Sequence, residues 1–290
     1  MPDLIKYASD DALAMFPDAR RANLKALIER LTGSNDDMDV DDSTFTAPSL
    51  KIVHGIQLAD ANAVPQRSEV GDIFASPMMV TMYRRSPSED QPDLGKALRF
   101  RPLYLTQSHS WYDKGAKQTV CSSPDGKFSP TRNMECKDCA DKPGFENNKP
   151  KPCTQIYRLY VLLEDLSGVF AVELKSFNSA IATNIGQQTR ALGGALSDNV
   201  WSLSTVIKDM GANKVPIFES TRQAKATPIT AAERELCSAL KDTFKDMHLK
   251  IAADARARAA SFTAAQATTS PSIPPSQFLP PTSDDDMSQM

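Results

Sequence analysis

The amino-acid sequence predicts a mainly β protein with flanking helices, of the α+β class. Three observations carry this. From about Leu50 to Phe177 the apolar residues fall in short β-type runs. From Thr230 to about Phe262 they recur at helical spacing. Cys121, Cys136, Cys139 and Cys153 crowd into one polar stretch between two of the β runs.

Taken in order, residues 1–34 read as a helical arm. Ser9 and Asp10 offer N-caps, and Pro17 suits the first position of a second short helix. Leu24, Leu27, Ile28 and Leu31 keep helical spacing, and Gly33 supplies the stop. The arm either packs on the body or contacts a neighbouring protomer. An acidic linker follows over 35–49, opening with Asp36, Asp37, Asp39, Asp41 and Asp42.

The core is expected over 50–229. Val80–Arg84 is one strand candidate. Leu98–Tyr112 is a longer one, and Pro102 inside it implies a bulge or an edge position. Strict alternation places Arg99 and Arg101 on one face, with Phe100 and Tyr104 on the other. Ile156–Leu163 and Val169–Phe177 form a hairpin across Asp165-Leu166-Ser167-Gly168. Ser179–Leu196 reads as a helix with Ile181, Ile185 and Leu192 apolar, broken at Gly193-Gly194. Trp201–Met210 and Val215–Glu219 are two further strands, with Trp201 assigned to the core. Strands, a helix and two more strands is the element order of an OB-fold, a five-stranded barrel. Thr230 and Glu233 make a capping box. The helix they open, 230–263, carries the stripe Leu236, Leu240, Phe244, Met247 and Ile251, and Cys237 reads as a small core residue. Residues 264–290 contain neither Lys nor Arg and read as a disordered acidic tail.

Cys136-Lys137-Asp138-Cys139 is a C-x-x-C turn with one cysteine at a distance on each side. Thiolates are what a tetrahedral Zn2+ ion takes as structural ligands. The segment Ser122–Pro152 has few large apolar residues, so a metal would substitute for a core. The expected arrangement is a zinc-ribbon-like insertion over 113–155, at the tip of two strands. His109 is an alternative ligand for an outer cysteine. Disulfides are the competing use of these residues. Met1-Pro2-Asp3-Leu4 lacks the basic-then-apolar pattern of a secretory signal, which points to a reducing, cytoplasmic setting where disulfides are disfavoured.

Nucleotide-binding and hydrolase motifs are absent: no Walker A loop, no G-x-G-x-x-G opening a helix, no G-x-S-x-G and no H-E-x-x-H. With three dispersed histidines and a zinc closed by four thiolates, the sequence argues against an enzyme. No apolar run is long enough to span a membrane. The net charge of −3 hides a segregation: Lys96–Arg158 holds 12 Lys/Arg against 6 Asp/Glu. Cations interleaved with aromatics suit single-stranded nucleic acid, which needs phosphate partners and flat faces for bases. The candidates are Tyr83, Arg84, Arg85, Arg99, Arg101, Trp111, Tyr112, Lys114, Lys117, Arg158, Tyr160 and Lys175.

The basic and aromatic strands, the inserted cysteines and the tail ending Asp284-Asp285-Asp286 together resemble the helix-destabilising, single-stranded DNA-binding proteins of tailed phages. That resemblance implies sequence-tolerant protection of single strands during phage or mobile-element replication and recombination, in the cytoplasm of a bacterial host. It also implies self-association along DNA, and replication or recombination proteins recruited through Asp284, Asp285 and Asp286. The all-cysteine ligand set departs from the mixed Cys/His set familiar in those phage proteins. A zinc-ribbon transcription or assembly factor that binds RNA polymerase or another protein is the alternative.

Overall fold

The computed structural model describes residues 4, 6–32 and 47–269, except 61, 114, 148, 212 and 227. Most of the acidic linker, Lys114, residues 270–290 and the aspartates Asp284, Asp285 and Asp286 lie outside the described residues.

Two helices come first, α1 (Asp10–Ala14) and α2 (Asp18–Thr32). Ser9 caps α1, its hydroxyl accepting from the Ala12 amide at 3.3 Å. Leu24, Leu27 and Ile28 are the buried face of α2. The strands that follow are β1 (Ser49–Ile52), β2 (Ile73–Ser76), β3 (Val80–Tyr83), β4 (Leu98–Asp113), β5 (Gln118–Ser123), β6 (Phe128–Ser129), β7 (Met134–Glu135), β8 (Phe145–Glu146), β9 (Lys149–Pro150), β10 (Thr154–Leu163) and β11 (Val169–Lys175). After helix α3 (Ser179–Leu192) come β12 (Trp201–Met210) and β13 (Asn213–Arg222), and then the 39-residue helix α4 (Ala231–Thr269).

One sheet takes nine of the strands, in the order β13-β12-β4-β10-β11-β1-β2-β3, with β5 paired to the outer half of β4. The β1–β11 pairing is parallel and the others are antiparallel. The sheet curls enough for Thr205 Oγ1 of β12 to donate to the Gly71 carbonyl just before β2. Among the described residues its end strands β13 and β3 do not pair, so the five-stranded barrel expected from the element order does not close. The reason lies in β10. A small-barrel strand buries alternate residues, whereas β10 buries five in succession, Leu159 to Leu163. Both faces of the sheet therefore have to be covered.

One face packs Leu103, Tyr160, Leu162 and Ala171 against Leu24 and Ile28 of α2 and Leu236, Leu240 and Phe244 of α4. The other packs Phe100, Leu159, Val161, Trp201 and Phe218 with Ile185 of α3. The helical arm is thus part of the body, and Trp201 and Cys237 are core residues as expected. Pro102 does sit at a bulge. Tyr160 faces Tyr104 and Val161 faces Pro102, leaving Leu103 as the extra residue. That residue reverses the alternation: Phe100 joins the Trp201 face and Tyr104 the α4 face, not one common face.

Candidate functional site

The outer half of β4 runs past the body of the sheet, between β5 on one side and the start of β10 on the other. On this three-stranded stem sit the short hairpins β6–β7 and β8–β9, forming a cysteine module. Cys121 lies on β5, Cys136 and Cys139 bound the turn after β7, and Cys153 immediately precedes β10. Among the described residues 115–153 the buried side chains are Cys121, Ser123, Ser129, Cys136, Cys139 and Cys153. The interior of the module is therefore four thiols and two hydroxyls, with no fully buried apolar side chain.

The sulfurs have polar company. Cys121 Sγ lies 3.0 Å from Ser129 Oγ, and Arg132 Nη1 donates to Cys139 Sγ at 3.4 Å and to Asp141 Oδ2 at 2.8 Å. The Cys139 amide donates to the Cys136 carbonyl at 3.3 Å, which closes the C-x-x-C turn. No disulfide joins them. Burial pushes the Cys153 thiol up to about 11, and Cys121, Cys136 and Cys139 act on it in the same direction, against Arg132. The four thiols thus share one electrostatic neighbourhood. Among the described residues no three His, Cys, Asp or Glu side chains already stand in a metal-ligand arrangement. His109 is held in the β4–β5 ladder opposite Ser123, its Nε2 3.0 Å from Gln107 Nε2 and its Nδ1 buried without a partner.

Helix α4 reaches this module. Arg256 Nη2 donates to Asp125 Oδ2 at 2.9 Å, and its guanidinium lies 5.7 Å from the Phe128 ring centre. Between α4 and the stem is a groove of about 580 Å³ lined by Thr106, Gln107, Lys127, His248, Ala252 and Arg256. It shares Gln107 and Lys127 with a second groove of about 440 Å³, which adds Lys137, Lys142, Pro143 and Gln155. That one shares Pro143 and Gln155 with a third of about 710 Å³, where Phe145, Lys151, Tyr157 and Phe177 line the wall. The three grooves thus adjoin along the module as one interrupted channel, with Lys127, Lys137, Lys142 and Glu135 in the middle groove and mainly apolar residues at the α3 end. Phe145, 76 % exposed, and Phe177, 59 % exposed, stand open there.

The residues proposed from sequence for nucleic acid are not gathered on one face. Tyr83 and Tyr160 are buried, and Tyr160 stacks on Phe244 of α4 at 4.4 Å between ring centres. Arg101 is also buried and donates to the Ser197 carbonyl at 3.2 Å. All three side chains are covered by the protein itself. Arg99 pairs with Glu164 at 2.7 Å, and Arg158 and Lys175 share Glu173 at 2.7 and 3.1 Å. Arg84 and Arg85 follow β3 at the far edge of the sheet, and Arg85 Nε donates to the Val70 carbonyl. Trp111 lies under the Arg132 guanidinium at 4.9 Å, so that face of its ring is taken. Tyr112 and Lys117 are exposed at the β4–β5 end. The lysines of the channel, Lys127, Lys137, Lys142 and Lys151, were visible in sequence as part of the basic excess. Nothing in their spacing marked them as one surface, because turns and not strands bring them together.

Residues 98–197 match the profile of a family described as Gp3-like: Recombination directionality factor-like. The match covers about a third of the chain. It begins at the first residue of β4, takes in the whole cysteine module with β10, β11 and α3, and stops before β12. No curated protein and no solved structure matches the chain. Among the described residues no helix is long and apolar enough to cross a membrane.

Proposed function

We propose that this chain is an accessory factor of phage-type DNA recombination that works by binding and not by chemistry, with the channel across the cysteine module as its contact surface. The observation that carries this is the coincidence of the family match with the structural unit: residues 98–197 are the module, its stem and the strands and helix that anchor it. The match supports a role in recombination. The channel supports a ligand with anionic groups and one apolar anchor, because Lys127, Lys137, Lys142 and Lys151 lead to the open Phe145 and Phe177. A recombination enzyme seated beside its DNA offers both.

The test is a plasmid recombination assay with purified recombinase and the full chain. Addition of the chain should shift the ratio of integrative to excisive product, and Lys137→Glu/Lys142→Glu should weaken the shift at unchanged thermal stability. An unchanged product ratio over a wide range of chain concentration would refute the proposal.

Single-strand DNA coating is a second reading, favoured by the exposed Tyr112 next to Lys117. Salt-sensitive, sequence-tolerant anisotropy changes with labelled single strands, reduced by Tyr112→Ala, would support it. The same reading holds that Asp284, Asp285 and Asp286 recruit replication or recombination proteins.

A further inference from the structure

We infer that Cys121, Cys136, Cys139 and Cys153 together bind one structural Zn2+ ion, and that this ion is the core of the module. The inference stands independently of the proposed function. Its first support is what the module lacks. Within residues 115–153 the described interior is four cysteines and two serines, while the segments around them are half-buried or exposed. Protonated thiols and hydroxyls bury too little apolar surface to hold a fold of this size. The two hairpins have strands of two residues each, and such hairpins do not persist alone. A tetrahedral ion joins β5, the turn after β7 and the start of β10 at one point, which is the closure the segment needs.

The second support is what surrounds the sulfurs. The Arg132 guanidinium donates to Cys139, and the Ser129 hydroxyl lies 3.0 Å from Cys121, where it can donate once that sulfur is a thiolate; donors of this kind stabilise thiolate ligands. Asp141 fixes Arg132 from its other side. The third is the separation of these four from the remaining cysteine. Cys237 is in α4, packed in the main core among Leu236 and Leu240, and has no part in the module. His109, tied to Gln107, is not needed as a ligand once four thiolates complete the tetrahedron. A closed site of this kind leaves no position for a substrate water, so the ion shapes the channel and performs no reaction.

The experiment is elemental analysis of the full chain, purified under reducing, oxygen-free conditions and passed through a desalting column. About one zinc per chain is expected for a single four-thiolate site. Cys136→Ser/Cys139→Ser should lower the content by about tenfold or more, while Cys237→Ser and His109→Ala retain it. Should the double variant not fold, a chelator acting on the wild-type chain decides the matter. Limited proteolysis should then cut within 115–153 while the α4 core stays protected. Absence of zinc after reconstitution, iron at the same stoichiometry, full zinc retention in the double variant, or disulfides among these cysteines in chain alkylated directly from cells would each overturn the inference.

Discussion

Glu233 joins two parts of the protein, and the two links can be separated by substitution. Its backbone amide donates to Thr230 Oγ1 at 3.2 Å, and its Oε2 accepts from the Thr230 amide at 3.0 Å, the reciprocal pair of a capping box. Its Oε1 meets Arg20 Nη1 of α2, with the Glu233 side chain 3 % exposed and that of Arg20 22 % exposed. Glu233→Gln keeps a capping residue at that position but removes the charge facing Arg20. Exposed ion pairs contribute ~0.2–1 kcal/mol, and removal of one partner of a fully buried pair costs ~3–5 kcal/mol. With Glu233 buried and Arg20 able to turn partly to water, the expected cost is about 1–3 kcal/mol. Glu233→Ala also removes the cap, adding about 1 kcal/mol. Urea unfolding followed by tryptophan fluorescence gives both values, and a double-mutant cycle with Arg20→Gln isolates the pair. If Glu233→Gln lies within ~0.5 kcal/mol of wild type, the bridge does not hold α2 to α4 and the reasoning fails.

Phe244→Ala should be among the most damaging core substitutions, at ~3–5 kcal/mol by urea unfolding, because the ring is 1 % exposed and stacked on Tyr160. Arg256→Ala should speed amide exchange in the 125–128 turn by freeing the module from α4, while global stability changes by less than ~1 kcal/mol. Burial holds the His248 imidazole below its ordinary range, with Asp125 opposing and Arg158 and Lys127 reinforcing. As pH falls the unfolded chain takes up the proton first, near the ordinary pKa of ~6.5, so the contribution of His248 is full above that pH and is lost on further acidification. Tm measured from pH ~7 to ~5 should therefore fall more steeply for wild type than for His248→Gln; equal slopes would remove His248 from the account.

How much of this was legible in sequence depends on the range of the interaction that decides each feature. The capping box at Thr230 and Glu233, the β10–β11 hairpin, the bulge at Pro102 and the grouping of the cysteines are set within a few residues or by a residue's own covalent geometry. They follow from the sequence. Partnership across the chain does not. That Tyr160 is covered by Phe244 depends on a helix more than 70 residues further on, and that Arg101 donates to the Ser197 carbonyl depends on a segment between α3 and β12. That Arg158 and Lys175 meet one glutamate depends on the β10–β11 register. A run such as Leu159–Leu163 did carry a signal against a small barrel, because five consecutive buried positions need cover on both faces.

The sequence by itself determined the class of the fold, the positions of its main strands and helices, the dispersal of its histidines and the existence of a cysteine-rich insertion. Periodicity, caps and spacing are local, and local rules read them. The tertiary structure alone decided that the sheet opens between two helical layers, which of the basic and aromatic side chains remain accessible, and that the lysines of separate turns border one channel. Those outcomes depend on which distant elements bury one another, and a one-dimensional pattern does not encode the partner.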